Sequence, residues 1–259
     1  VVQVNKHGSY FKFYHILILF VALNDYTASM QTIRYIVFWI AFLLSFQLEA
    51  QICLHDVDFE RVGQEKVIEF IEHQQENGIE TFEEIKPSLP PEANLKGFFS
   101  RENEYQIKRH LEDVWQYYLT TNPGKLWCGK RVTFGFLFSK KDAKILYAND
   151  ACSHIDTGMV VYINLRLMRG LKNLATAFEF TSIDEESKTI EFSYLKGNVA
   201  MGKQILRFYE TPKGYTRILH TSFYKNNNAV RNYFFYPFFH TRTTHEFHRN
   251  NKRQILAGN

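Results

Sequence analysis

MVVYINLRLM (159–168), ATAFEFTSID (175–184), KTIEFSYL (188–195), MGKQILRFYE (201–210) and GYTRILHTSFY (214–224) each alternate apolar and polar residues. Read together, they decide the fold. Alternation sends every second side chain to one face of a sheet. Turn residues stand between the runs: Gly170, then Asp184 to Ser187, then Lys196-Gly197-Asn198, then Pro212-Lys213-Gly214. The pattern predicts an antiparallel meander.

The elements outside the meander follow the same logic. RVTFGFLF (131–138) puts Val132, Phe134, Phe136 and Phe138 on one face, and a turn at Lys140 to Asp142 leads into KILYAND (144–150). Upstream, EYQIK (104–108) alternates as a strand. HLEDVWQYYLTTNP (110–123) then reads as a short helix with Leu111, Val114, Trp115 and Tyr118 on one side, ended at Asn122-Pro123-Gly124. KLWCG (125–129) is a second short helical piece. Downstream, Asn226 to Asn228 make a turn and capping cluster, and AVRNYFFYPFFHTRTTHEFHRNNKRQIL (229–256) is helical in composition. Pro237 removes a backbone donor inside that helix, which predicts a kink or two consecutive helices.

Residues 51–99 read as an acidic helical extension. Asp58 caps a helix running to about Asn77 with Val62, Val67, Phe70 and Ile71 as its apolar stripe, and Gly78 stops it. ETFEEI (80–85) reads as a short strand. Pro87, Pro90 and Pro91 then interrupt regular structure. The segment is too short to bury a core alone and is expected to pack on the main domain.

The first fifty residues stand apart from the fold. Met30 is the first methionine, and it opens a short basic start at Arg34, an apolar run from Tyr35 to Phe46, and Leu48-Glu49-Ala50 before Gln51. That pattern matches a secretory signal at 30–50, cleaved after Ala50, and implies export to a periplasm or the exterior. An uncleaved N-terminal membrane anchor is the alternative. Residues 1–29 hold a second apolar run without a starting methionine and read as untranslated upstream sequence, with Met30 the true start. A two-span membrane hairpin is the alternative, disfavoured by the short run and its flanking Lys6, Lys12 and Asp25. Export allows a disulfide between Cys128 and Cys152, which flank one predicted strand pair; two free, buried thiols fit equally.

Charge narrows the partners. From Gln51 onward there are 28 basic and 25 acidic residues, which argues against nucleic acid. Residues 55–86 carry ten acidic and three basic side chains, whereas the last 33 carry five basic and one acidic. The basic end from Arg249 to Arg253 suggests peripheral contact with anionic lipid headgroups. With 24 Phe and 15 Tyr the chain is rich in aromatics, which suits a thick β core or a wide aromatic-lined interior.

Strand, two short helices, about six strands and a long C-terminal helix, with EYQIKRHLEDVWQYYLTTNP (104–123) and ETPKGYTRILHTSFY (210–224), resemble the START/polyketide-cyclase-like (SRPBCC, helix-grip) superfamily over about 100–256. Val114-Trp115 match its helical Val-Trp pair. Gly214, Thr216 and Ile218 match its penultimate hairpin. Arg109-His110 depart from the small residue or proline usual before the first helix, and Pro237 departs within the last. The resemblance implies an α+β helix-grip domain at 100–259, in which a curved antiparallel sheet wraps the long C-terminal helix around a ligand cavity. It implies no reaction, because one fold hosts unrelated functions.

Period-two parity assigns the cavity wall. If Thr216 and Ile218 face inward, so do His220, Ser222 and Tyr224; Gln204, Leu206 and Phe208 share one face, as do Phe178 with Phe180, and Ile190 with Phe192 and Tyr194. The candidate ligand-binding residues are therefore Phe134, Phe136, Phe178, Phe180, Phe192, Tyr194, Gln204, Leu206, Phe208, Ile218, His220, Tyr236 and His240. His220 fits either an acid–base role or a core hydrogen bond. His240, His245 and His248 lack the spacing for three convergent metal ligands and read as a solvated basic face, and no cofactor is expected. No Gly-rich phosphate loop, Gly-x-Ser-x-Gly elbow or His-Glu-x-x-His motif occurs.

The leading expectation is a monomeric, exported carrier of a hydrophobic or amphipathic small molecule or lipid. A cyclase- or dehydratase-type enzyme using His220 or His240 as base is the first alternative. A protein-interaction module acting through 51–99 is the second.

Overall fold

The computed structural model describes residues 34, 35, 37–39 and 51–258. The chain divides into two units, 1–50 and 51–259. In the first unit the five described residues are helical; the proposed signal segment and the upstream stretch otherwise lie outside the described residues. No helix among the described residues is long and apolar enough to cross a membrane.

The second unit is built on one eight-stranded antiparallel sheet. Its strands are β1 (Phe99–Ile107), β2 (Val132–Ser139), β3 (Lys144–Tyr147), β4 (Met159–Leu167), β5 (Lys172–Asp184), β6 (Thr189–Tyr194), β7 (Met201–Glu210) and β8 (Thr216–Lys225). Their spatial order is β1-β8-β7-β6-β5-β4-β2-β3. The predicted meander is β4 to β8, each strand pairing with the next. β1 joins at the β8 edge with Tyr105 opposite Ile218, and β2 lies between β4 and the short edge strand β3.

Two cores lie on opposite faces of this curved sheet. The inner one holds Phe178, Phe180, Ile190, Phe192, Leu206, Phe208 and Ile218, as strand parity predicts. Trp115 and Val114 press into it from helix α3 (Leu111–Thr120), with the Trp115 ring edge-on to Phe208 at 5.3 Å. The short helix α4 (Pro123–Leu126) follows, started by Asn122, whose side chain accepts from the Gly124 N–H. The long C-terminal helix α5 (Tyr236–Ala257) runs across the same face, its Phe247 stacked on Trp127 at 4.2 Å.

A π-helical turn, Arg231–Phe235, leads into α5, and the Tyr236 N–H reaches back to the Arg231 carbonyl. Pro237 then falls in the first turn of α5. The break expected at the proline thus takes the form of a widened turn, where the missing donor costs no regular α-helical bond.

The outer core is covered by residues 51–98. Asp58 caps α1 (Phe59–Val62), accepting from Glu60 and Arg61 N–H, and α2 (Glu65–Glu76) follows. The single helix expected over 58–77 is split because Gly63 takes φ +63° and ends α1 in the left-handed region. The segment expected as a strand at 80–85 makes only an isolated bridge, Thr81 to Cys53. Val67, Ile71, Phe82 and Ile85 pack there against Phe136, Phe138, Val160 and Tyr162.

Phe136 and Phe138 are the main correction to the sequence reading. Phe134 stands opposite Ile163 and Phe136 opposite Tyr162, so Gly135 is an extra residue in the β2–β4 ladder. One inserted residue exchanges the faces of everything beyond it. Phe134 and Leu137 therefore belong to the inner core, and Phe136 and Phe138 to the outer one. Phe136 is not a cavity residue.

Cys53, Cys128 and Cys152 are free thiols, but not buried as the free-thiol reading expected: Cys128 is exposed and Cys152 half-buried.

Candidate functional site: an inner cavity with one polar wall

A cavity of about 980 Å³ lies on the inner face of the sheet, bounded by β4 to β8 and the start of α5. This is the upper end of the usual range for ligand sites, about 300–1,000 Å³. Trp127, Ile163, Leu165, Phe178, Phe192 and Phe247 make its apolar lining, and Tyr236, Phe239, His240, Thr243 and Phe247 project from α5.

Seven of the thirteen candidates line it: Phe178, Phe192, Tyr194, Gln204, His220, Tyr236 and His240. Phe134, Phe180, Leu206, Phe208 and Ile218 are inner-face residues too, but they fill the solid core beside the cavity. Phe136 lies behind the sheet. Sequence reading missed Trp127, Phe239, Thr243 and Phe247. Positions 236, 240, 243 and 247 follow the i, i+4, i+7, i+11 spacing of one helical face, a signal hidden by the aromatics all round the first half of the helix.

The polar wall is a single hydrogen-bonded chain, and Gln204 sets its direction. The amide nitrogen can only donate, and it meets Tyr194 Oη at 2.9 Å and Tyr236 Oη at 3.2 Å. Oε1 can only accept; it receives Ser222 Oγ–H, His220 Nε2–H at 2.8 Å and His240 Nε2–H at 3.2 Å. With its proton on Nε2, His220 must accept at Nδ1, and His248 Nε2 donates to it at 2.9 Å. His248 Nδ1 then accepts the Tyr118 hydroxyl, also at 2.9 Å. Each imidazole in this order is neutral, with one donor and one acceptor.

Burial enforces that neutrality. His220 and His248 are almost wholly enclosed, and the cost of desolvating a cation holds the His248 pKa down at about 3 and the His220 pKa well below the usual value. The neighbouring His248 and His240 depress His220 further, and His245 adds to the shift of His248. His240 is half-buried only because it faces the cavity, and desolvation followed by the charge of Arg101 brings it to about 3. Desolvation also pushes Tyr194 up to about 12 and Tyr236 higher still, so both phenols keep their protons.

Of the three helix histidines expected on a solvated face, only His245 is there; His240 and His248 turn inward to the hydrogen-bonded chain. His245 is exposed and meets Tyr105 Oη at 2.9 Å, while both ring nitrogens of His248 are committed to the chain. Glu246, the acid beside them, turns away and accepts from the Arg131 backbone N–H and guanidinium. Its carboxylate comes so close to Gly129 that a Cβ there would lie 2.5 Å from Oε1.

Strand order, inner cavity and gripping helix define a helix-grip, START-like fold with a mostly apolar site that opens to one side. No family profile matches the sequence, and neither does any curated protein. Among solved structures, the chain is similar to a norcoclaurine synthase point mutant of Thalictrum flavum (10% identity, 62% of this chain and 96% of that one, TM-score 0.47). It is also similar to the major latex-like protein 151 of Panax ginseng (14% identity, 61% and 98%, TM-score 0.46) and to protein Ms6760 of Mycobacterium smegmatis (13% identity, 66% and 94%, TM-score 0.44).

Proposed function

We propose that this chain binds an amphipathic small molecule inside the cavity and carries it without transforming it. The observation that supports this most directly is the cavity itself, a mostly apolar space of about 980 Å³ into which Tyr194, Gln204, His220, Tyr236 and His240 bring one connected polar cluster. Burying apolar ligand surface there contributes about 25 cal/mol per Å². The polar wall orients the ligand. Tyr194 and Tyr236 each accept from Gln204 and lie 2.8 Å apart, so one phenol donates to the other. One phenolic proton is then left over at the cavity wall, and it suits a ligand bearing an acceptor oxygen such as a carbonyl or hydroxyl. The Gln204 cluster offers neutral groups only, so it suits an uncharged polar group, while the cations Lys172 and Arg231 also line the cavity.

Carriage is favoured over catalysis by the same geometry. A general base works best with a pKa near the operating pH, and His220 and His240 are held far below it. The interaction-module reading has less support, because the apolar side of 51–98 is already spent on the sheet. The export signal read from Met30 would place this carrier outside the cytoplasm.

Native mass spectrometry of protein purified from its own host tests the proposal. It should reveal a bound small molecule that is lost in Thr243→Trp, where an indole occupies the cavity. Protein that is empty as isolated, and that takes up no fluorescent apolar probe, would overturn it.

A further inference from the structure

The cavity mouth is ringed by large apolar side chains that point into solvent. Leu171 is 87% exposed and Phe234 70%, and Met168, Val199, Phe235 and Phe238 are also exposed. They come from three separate segments: the turn after β4, the β6–β7 turn and the entry to α5. Met168, Val199 and Phe235 line the cavity itself, which fixes the patch around its opening. Large exposed apolar side chains brought from three segments to one cavity opening mark a docking site rather than ordinary exposure.

Charge identifies what docks. Residues 158–178, 195–209 and 211–245 contain no Asp or Glu, yet they carry Lys and Arg throughout. Lys172 and Arg231 line the mouth, and Arg169 stands between Met168 and Leu171. Two copies meeting face to face here would bring like charges together, which disfavours self-association. Aromatic and aliphatic groups interleaved with cations suit the headgroup level of an anionic bilayer. The basic end from Arg249 to Arg253 is not part of this surface, since Arg249 lies 18 residues, about 27 Å, further along the helix than Arg231.

We propose that this face docks on an anionic lipid bilayer, so that the cavity opens onto the membrane surface. The idea rests on the carrier reading only for the purpose of docking; the surface stands on its own.

Hydrogen–deuterium exchange of the full chain tests it, with vesicles of phosphatidylcholine alone or containing about 30% phosphatidylglycerol. Anionic vesicles should slow exchange in 166–174 and 229–239 several-fold, and about 0.5 M salt should reverse much of the effect. Leu171→Ser with Phe234→Ser should abolish the protection; both side chains are exposed and lie outside the cavity lining. Absence of protection in these segments would overturn the proposal, even if the vesicles retain the chain through residues before Gln51. So would protection that appears without vesicles as protein concentration rises, which would make a second copy the occupant. Uptake of an apolar probe by the soluble double variant reads the carrier proposal separately.

Discussion

His220 Nδ1 and His248 Nε2 meet at 2.9 Å inside the fold, and this contact ties the last strand to the C-terminal helix with a polar bond. His248→Leu would orphan two buried groups, the Tyr118 hydroxyl and His220 Nδ1. Each unsatisfied group costs about 1–3 kcal/mol. Urea denaturation should therefore show a loss of several kcal/mol with little change in m-value. A loss below about 1 kcal/mol would mean that water reaches this chain.

The same histidines give stability a pH dependence of definite sign. His248 titrates at about 3 in the folded protein, His220 also lies well below 6.5, and 6.5 is the ordinary value that the unfolded chain recovers. Between those values the unfolded state binds protons that the folded state refuses. Stability is full above about pH 6.5 and falls as pH drops towards 3, by up to about 1.4 kcal/mol per pH unit for each histidine. Urea midpoints at pH 7.5, 6 and 5 should fall in that order. His248→Leu should flatten the slope by about one proton. A midpoint unchanged from pH 7.5 to 5 would contradict neutral, buried imidazoles.

Most of the sheet was legible because period-two alternation is a direct record of which face is buried. His220, Gln204, Tyr194 and the Phe178–Phe192 pair all fell on the inner face that parity assigned them. Parity fails where the ladder gains a residue, and nothing in RVTFGFLF distinguishes the bulge at Gly135 from an ordinary strand glycine. Phe136 was misplaced for that reason. His248 was missed for another: its partners Tyr118 and His220 lie 130 and 28 residues away, and no local pattern carries such a contact. The boundary between cavity and solid core is likewise a matter of which side chains happen to meet. Phe208 is filled over by Trp115 and Tyr118, whereas Phe192 is not.

The bulge can be tested directly. A Cβ on Gly135 would lie 3.0 Å from the Tyr162 carbonyl oxygen and 3.1 Å from a Val67 methyl. Gly135→Ala should cost about 1–3 kcal/mol through overpacking. The damage should appear first in α2, which must lift off the sheet, as faster hydrogen exchange over 64–76. Unchanged exchange there would show that Val67 can give way without moving the helix.

Tyr236 joins the fold to the proposed ligand. Its ring stacks on Tyr224 at 3.8 Å and on His240 at 4.9 Å, while its hydroxyl shares Gln204 and Tyr194. Tyr236→Phe keeps the stacking and removes one phenolic proton. Tyr194 then has no neighbour from which to accept apart from Gln204, and its own proton becomes the one facing the cavity. The surplus donor is shifted rather than lost, so this variant alone should weaken a carbonyl-bearing probe only a few-fold. Tyr194→Phe with Tyr236→Phe removes both donors and leaves the Gln204 amide protons facing the cavity without their acceptors. Those freed amide protons can donate to a carbonyl in place of the phenols, so the carbonyl probe should lose at most one hydrogen bond of about 1 kcal/mol, no more than about fivefold in affinity. A hydrocarbon probe of similar size would cover those amide protons without pairing them, so it should bind the double variant more weakly than the parent chain, by about 1–3 kcal/mol. Fluorescence titration with the matched pair measures both effects, and equal loss for the two probes would mean that the tyrosines shape the cavity and do not read the polar end of the ligand.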